Sequence, residues 1–455
     1  LKKYLALILG VLFVLSFAAS AFAIHAEIPS ETQAVVAKTT TQITLGGELR
    51  VRGWWRSNIN VSEEGFALPI DANDQAYYDE RVRLSLDANV APGVEGFVML
   101  ESNNEQSDLY TWGNFNSKPT NLSINEAWIV YAGSGLLGFN SGLKIGHMPL
   151  ALGQKEFFDH TKFGDDAIVF FMSPVKGLEV ALLTVKFAGD GSPSTVVLPA
   201  SIFGGFGSVA VNLTGSKYDN TDDLDGYVGL ATYKIDDKNT VGVNYTYLNQ
   251  SDLGMSHQDL GLHADGNISG FGYKAFGDIQ FGKLFDGTSI EQDFKGYAFG
   301  LGISYMVNPV NLRASFAWGS GDDDSTDNDI DAFVPYLGDD QHYTLIYEYK
   351  VTPAGGYTNA GLSNTNYYNL GVDYSPTKDL ALSLDGYLIY ATETPSGVDD
   401  NCGWEVDGKI KYNLAKNLTY QIDAGYFDAG DFYKDLTGQD AKGVTLLRHA
   451  ITLSF

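Results

Sequence analysis

A single cysteine, Cys402, stands among 455 residues. It rules out an intrachain disulfide and any C-x-x-C-H haem attachment. After residue 23 no stretch approaches the roughly 20 consecutive apolar residues that a membrane-spanning helix needs. Basic residues are in deficit, with 29 Lys and Arg against 56 Asp and Glu and a formal net charge of -27. Nucleic acid is excluded as a partner on that ground, because phosphate is neutralised by Lys and Arg. The sequence lacks a G-x-S-x-G nucleophile elbow, an H-E-x-x-H pair and a P-loop, so no enzyme is expected. His147, His160, His257 and His263 follow no metal-ligand spacing. Asp327, Asp329 and Asp331 alternate as in an EF-hand loop, but Ala332 and Gly338 fill the places of its invariant Gly and its bidentate Glu. No cofactor and no metal are expected.

What is abundant points elsewhere. There are 51 Gly, 27 Tyr and 26 Phe. Tyr and Phe suit strands and membrane-interface girdles, and Gly suits tight turns and crowded sheet walls. A mean hydropathy of -0.10 is too polar for a helical membrane protein. It fits a membrane barrel, in which only every second strand residue meets lipid. Residues 1–23 read as a secretory signal peptide: Lys2 and Lys3, an apolar run from Leu5 to Ala19, then the small-x-small site Ala21-Phe22-Ala23. Residues 24–41 read as a short periplasmic segment, and residues 42–455 as one barrel domain.

The barrel reading rests on period-2 segments separated by turns. In the run Trp404 to Tyr412, Trp404, Val406, Ile410 and Tyr412 share one face, while Glu405, Asp407, Lys409 and Lys411 share the other. Tyr297 to Tyr305 and Leu418 to Phe427 alternate likewise. Short turns such as Ala91-Pro92-Gly93 and Ala415-Lys416-Asn417 punctuate long acidic loops, as in outer-membrane barrels. The fold class is all-β: a transmembrane antiparallel up-and-down barrel of about 18 strands, with about 16 as the alternative even count. Both termini are expected in the periplasm. Tyr343 to Tyr349 also looks strand-like, but it would break the even count and is assigned to a folded outer loop. Phe455 ends the last strand with Leu453, Ile451 and Leu447 on its face. A terminal aromatic of this kind resembles the signal read by the outer-membrane barrel-assembly machinery.

Strand phase then names candidate lumen residues. Arg50, Arg52, Arg81, Arg83, Lys409, Lys411 and Arg448 fall on the polar faces. Because closure pairs the last strand with the first, the arginines are expected to form one basic wall patch. The third outer loop, Gln154 to Asp166, carries Glu156, Asp159, Asp165 and Asp166. Folded inward, it would set acid against base across a pore, and such a field screens solutes by charge and dipole. The competing reading pairs these arginines with Glu48, Asp79 and Asp87 on adjacent strands. Trp54, Trp128 and Tyr387 are the aromatic candidates for the lumen. Cys402 is expected in an outer loop.

Several short motifs in order resemble the alginate-export-like porins. They are Asn125-Glu126-Ala127-Trp128, Leu143-Lys144-Ile145-Gly146-His147, Ile279-Gln280-Phe281-Gly282-Lys283, Trp318-Gly319-Ser320-Gly321-Asp322, Phe333-Val334-Pro335-Tyr336-Leu337 and Gly425-Tyr426-Phe427. The resemblance implies an 18-stranded outer-membrane barrel. Alginate as cargo fits poorly, since a polyanion needs a strongly basic pathway. The expected function is passive diffusion of small hydrophilic solutes or ions. The alternatives are a channel selective for a saccharide or organic acid, or a barrel sheathing a separate electron carrier. Expected partners are outer-membrane lipid, lipopolysaccharide, the assembly machinery and small solutes; a homo-oligomer is compatible with the sequence. N-terminal sequencing of protein taken from outer membranes should read from Ile24, and a chain still starting at Leu1 would refute the signal-peptide assignment.

Overall fold

The computed structural model describes residues 41–57, 74–103, 110–111, 121–134, 137–188, 194–199, 208–213, 224–251, 253–322, 324, 327–337, 342–350, 361–438 and 442–455. The expected signal peptide and nearly all of the lead-in lie outside them. Eighteen strands form the wall: β1 Gln42–Ser57, β2 Asp74–Ala91, β3 Val94–Asn103, β4 Asn121–Gly133, β5 Ser141–Met148, β6 Asp165–Val175, β7 Leu178–Ala188, β8 Leu224–Lys234, β9 Thr240–Gln250, β10 Met255–Ile268, β11 Phe271–Leu284, β12 Tyr297–Val307, β13 Val310–Gly319, β14 Thr365–Tyr374, β15 Leu380–Ala391, β16 Asn401–Ala415, β17 Leu418–Ala429 and β18 Val444–Ser454. Each pairs antiparallel with its sequence neighbours, and β18 pairs with β1 in a continuous register from Glu48↔Ser454 to Ser57↔Thr445. No wall strand is left with an edge.

The strands form where apolar and polar residues alternate, and the alternation places every wall residue. Leu45, Leu49 and Trp55 of β1 are exposed, as are Leu84 and Leu86 of β2, Leu301 and Ile303 of β12, and Leu370 of β14, the last at 73%. That much exposed Leu and Ile would aggregate in water; against lipid tails it is the stable arrangement. Exposed aromatics border the band on both sides. Tyr233, Phe271, Tyr305, Tyr374 and Tyr412 sit beside the short turns, and Trp55, Tyr78, Tyr227, Tyr297, Tyr368, Trp404 and Tyr426 beside the long loops. Such rings belong at the two membrane–water interfaces.

The inward faces carry the polar residues, and the described residues of two long outer loops pack into the outer half of the lumen. One spans residues 149–164, between β5 and β6. The other, residues 320–364, joins β13 to β14 and contains the one-turn helix α1, Tyr347–Lys350. A second short helix, α2, Asp431–Thr437, caps the loop between β17 and β18. The buried apolar cluster is where loops meet wall: Phe157 and Phe158 from the first loop, Ile330, Phe333, Ile346 and Tyr347 from the second, Phe427 and Leu446 from the wall. The segment 343–349 is indeed folded loop and not a wall strand.

Cys402 departs from its expected place. It is the second residue of β16 and is fully buried, among Tyr347 and Phe427 of the same apolar cluster. The polar stretch before it concealed this, because burial comes from α1 descending onto the strand. A membrane-impermeant maleimide should therefore leave Cys402 unlabelled in the folded barrel and label it after heat unfolding. Rapid labelling of the native protein would show that α1 does not cover the strand.

Candidate functional site

The two inward loops are tied to each other across the lumen. Phe158–Asp159 and Tyr336–Leu337 pair as a short parallel ribbon, and the Tyr336 amide donates to Phe157 O at 2.6 Å. His342 Nε2 lies 3.1 Å from Asp159 Oδ2, and its Nδ1 lies 3.4 Å from Glu348 Oε1. Glu348, fully buried, accepts the backbone N–H groups of His342, Tyr343 and Thr344. The Tyr343 hydroxyl donates to Glu156 Oε2 at 2.7 Å. Lys155 Nζ stands 3.3 Å from Asp159 Oδ2.

Burial opposes the charged form of His342, yet hydrogen bonds to Asp159 and Glu348, with the charges of Glu348 and Glu156, push its pKa up to about 10. Burial also works against the Asp159 anion, but the His342 and Thr161 hydrogen bonds and the Lys155 charge hold it well below the usual carboxylate range. Glu156 goes the other way, raised by full burial despite the charges of His342 and Lys274. His342 is thus an imidazolium locked between two carboxylates, one from each loop.

The loops lean on one side of the barrel. Phe158 packs on Phe187 of β7, and Phe157 on His257 of β10. Val334 exchanges two hydrogen bonds with Gln280 of β11. Tyr343 stacks on Tyr367 of β14, and the Leu345, Ile346 and Tyr347 amides donate to Asp407 and Glu405 of β16. These described contacts run from β7 round to β16. The wall made by β18, β1 and β2 takes none of these hydrogen bonds and carries the arginines, although Leu446 of β18 and Trp54 of β1 border the buried apolar cluster.

On that wall the register sets Arg50, Arg52, Trp54 and Glu48 on the face opposite Leu49 and Trp55. Arg52 is bonded to the fully buried Asp79 at 2.9 Å, Arg81 to Glu48 at 2.6 Å, Arg83 to Glu101 and Arg448 to Asp423 at 2.8 Å. Arg52, Arg56 and Arg448 also stand over the ring of Trp54, 4.5 to 4.9 Å from its centroid. The cross-strand pairing of Arg52 with Asp79 and of Arg81 with Glu48 was legible from strand phase. The Glu101 and Asp423 partners were not, because they required the register of β3 and β17. Arg50 differs from its neighbours. It faces Arg81 and Thr452 in register, makes no salt bridge among the described residues, and its Nε has no acceptor.

The other expected residues scatter. Lys409 and Lys411 are exposed on β16 toward the short-turn end, below the loops. Asp165 begins β6, buried, and is held by His160 Nδ1 at 3.0 Å. Asp166 is displaced from the expected acidic set. It falls on the outward phase with Ile168, its side chain is 73% exposed, and it pairs with His147 at 3.0 Å. The sequence reading treated 154–166 as one loop; the strand begins at Asp165, and one residue of strand phase separates the two acids. Trp54, Trp128 and Tyr387 sit on β1, β4 and β15, and make no ring contact with one another. His342 and Glu348 lie outside the expected site residues, since nothing local in the sequence marks a loop that folds inward. Phe455 closes the wall by exchanging backbone hydrogen bonds with Gly47 at 2.7 and 3.0 Å. Its ring lies where a side chain at 47 would be, 2.7 Å from the place of a Cβ.

Residues 223–446 match the family model described as alginate export. Among solved structures the chain is similar to Pseudomonas aeruginosa OccK2 (OpdF), at 13% identity and a TM-score of 0.58, covering 91% of this chain and 98% of that one. It is similar to OccK11 (OpdR) of the same organism at 12% identity and a TM-score of 0.57, covering 90% of this chain and 96% of that one. OccK5 (OpdH), also from Pseudomonas aeruginosa, aligns at 14% identity with a TM-score of 0.55, over 90% and 98% of the two chains. No curated protein matches the sequence. The structural likenesses speak for the fold over the whole barrel, and the family match covers β8 to the start of β18. Taken with the closed ladder and the two aromatic girdles, they make this chain an 18-stranded outer-membrane β-barrel that is similar, through its second half, to the alginate-export family.

Proposed function

We propose that the barrel is a passive channel for small hydrophilic solutes and ions, and that its eyelet lies between the two tied loops and the arginine wall of β18, β1 and β2. The observation that carries this reading is the one-sided docking of both loops, which leaves Arg50, Arg52, Arg81 and Arg448 without a hydrogen bond to either loop among the described residues. Acid gathers on the loop side, in Glu156, Asp159, Glu348 and Asp407, and base on the wall, so the field crosses the lumen. A polar solute aligned with that field passes at little cost, whereas an apolar one must displace ordered water. Below the loops, toward the short turns, a cavity of about 770 Å³ reaches Lys274, Ser304, Arg313 and Asn369. Arg50 is the residue that reads charge in this scheme, because its wall neighbours are already paired.

In planar bilayers the protein should form open channels with a mild cation preference at low salt. The preference should vanish near 1 M, where the screening length is about 3 Å. Replacing Arg50 by Glu should raise cation preference in reversal-potential measurements and leave heat-modifiable folding intact. Arg52→Glu is a different experiment: it puts a second carboxylate on the buried Asp79, and loss of a buried pair costs about 3–5 kcal/mol, so the folded band itself should diminish. An Arg50→Glu barrel with unchanged selectivity would remove Arg50 from the eyelet, and an absence of conductance would refute the channel.

The loop tie has its own signature in pH. His342 has a folded pKa above the ordinary value near 6.5, so its contribution is complete below that value and is lost as pH rises through about 10. Wild-type conductance should hold steady across neutral pH, then grow larger and noisier as pH passes about 10. His342→Gln should show the large, noisy state already at neutral pH. A His342→Gln channel indistinguishable from wild type would mean that the loops are held by packing alone.

A further inference from the structure

Under the first inward loop, three adjacent strands bring oxygen atoms together on their inner faces. Thr246 of β9 stands beside Asp259 of β10 in register, and Asn244 of β9, Gly261 of β10 and Asp278 of β11 form the next rung. Leu262 and Ile279 alternate outward, so these polar residues share the inner face. Asp259 and Thr246 are fully buried, Asn244 is 3% exposed and Asp278 8%. Gly261 opens the space between them: a Cβ there would lie 2.5 Å from Asp278 Oδ1 and 2.8 Å from Asn244 Oδ1. Asp259 and Asp278 are diagonal neighbours, about 7–8 Å apart along the sheet, within reach of one small ion.

Among the described residues the group has no cation partner. Both carboxylate oxygens of Asp259, and the Thr246 hydroxyl, are buried without a hydrogen bond. Neither Asp259 nor Asp278 makes a salt bridge among the described residues. Gln280, next to Asp259 in register, exchanges two hydrogen bonds with Val334, and its remaining amide N–H is at most a neutral donor toward Asp259, which leaves the carboxylate charge uncompensated. A buried anion with no partner is strongly unfavourable, so the pair must be neutralised from outside the chain.

We propose that Asp259 and Asp278, with Asn244 Oδ1 and Thr246 Oγ1 as neutral donors, bind one calcium ion in the barrel wall beneath the inward loop. Two carboxylates match a divalent charge, and all the donors are hard oxygens. Calcium accepts irregular oxygen cages, whereas magnesium demands an octahedron and retains its water, which this dry recess does not favour. The ion would also steady the loop above it, since the position of a Gly153 Cβ is 3.0 Å from Asn244 Oδ1.

The test is equilibrium dialysis of ⁴⁵Ca²⁺ against detergent-purified barrel, washed with chelator and kept at high salt to screen the acidic loops. Each sample is first shown to be folded by its heat-modifiable migration. Wild type should hold one more calcium than Asp259→Asn, excess magnesium should not displace it, and Thr246→Val should bind it several-fold more weakly. Asp327→Asn, in the exposed acidic loop, should keep it. Equal calcium in folded wild type and folded Asp259→Asn would overturn the proposal and leave the two acids as a neutral, protonated pair. If Asp259→Asn does not assemble, Asp278→Asn takes its place. If neither assembles, calcium bound to the Asp327→Asn barrel decides the matter, none refuting the site and one magnesium-resistant ion supporting it.

Discussion

In hydrocarbon no water is present to take up a backbone N–H or C=O, and each one left unpaired costs several kcal/mol. A sheet meets that demand only by closing, and the rest of this molecule follows from the closure. β18 returns to β1 from Glu48↔Ser454 upward, and Phe455 adds one more pair of backbone bonds with Gly47. Gly47 is needed there because the Phe455 ring occupies the place of a side chain. Phe455 thus helps to close the seam between β18 and β1.

Closure also sorts the side chains. With one face on lipid, every charge must go inward, and the inner wall becomes crowded with ions that need partners. Four of the wall arginines find carboxylates on an adjacent strand, and Asp79, Glu101 and Asp423 are nearly or fully buried in doing so. Exposed ion pairs contribute little, but a pair with a buried member is expensive to break. The basic wall is therefore mostly a structural lattice, in which Arg50 has no salt bridge among the described residues. The same sorting explains the loops. Their backbone amides enter a lumen walled with acids, and Glu405, Asp407 and Glu348 accept them in series.

The wall was legible in the sequence because period-2 alternation is a local signal and membrane burial enforces it strictly. β12, β16 and β17 stand where the alternation of Tyr297 to Tyr305, Trp404 to Tyr412 and Leu418 to Phe427 puts them, and the wall has the expected eighteen strands. β10 runs on to Ile268 and turns at Ser269 and Gly270, both with positive φ, where the alternation had faded several residues earlier. Asp166 departs from the expected acidic set while Asp165 keeps its inward place, since one residue of strand phase separates an inward acid from an outward one. The lumen contents were much less legible. That Tyr343–Tyr349 is loop followed from counting strands, but its docking on β16, and hence the burial of Cys402, depends on contacts about sixty residues apart in sequence. Arg52 and Asp79 were within reach of phase alone; His342, Asp159 and Glu348 were not.

The geometry of an 18-stranded ring ties these observations into one argument. β1 and β10 lie half a circumference apart, so the arginine wall and the oxygen-rich recess of Asp259 and Asp278 face each other across the lumen. The loops dock against β7 to β17, over that recess, and hold none of the paired arginines. This is the arrangement that minimises repulsion. Loops rich in acid cannot pack against more acid unless a cation intervenes, and His342 and Lys155 supply that charge at the tie between them. Arg313 does the same lower in the wall, bridging Asp373 and Asp385. Where a side-chain cation is present, each buried acid on this side has its partner within hydrogen-bond range. Asp259 and Asp278 have none, and there the same rule of neutralisation calls for an ion from solution.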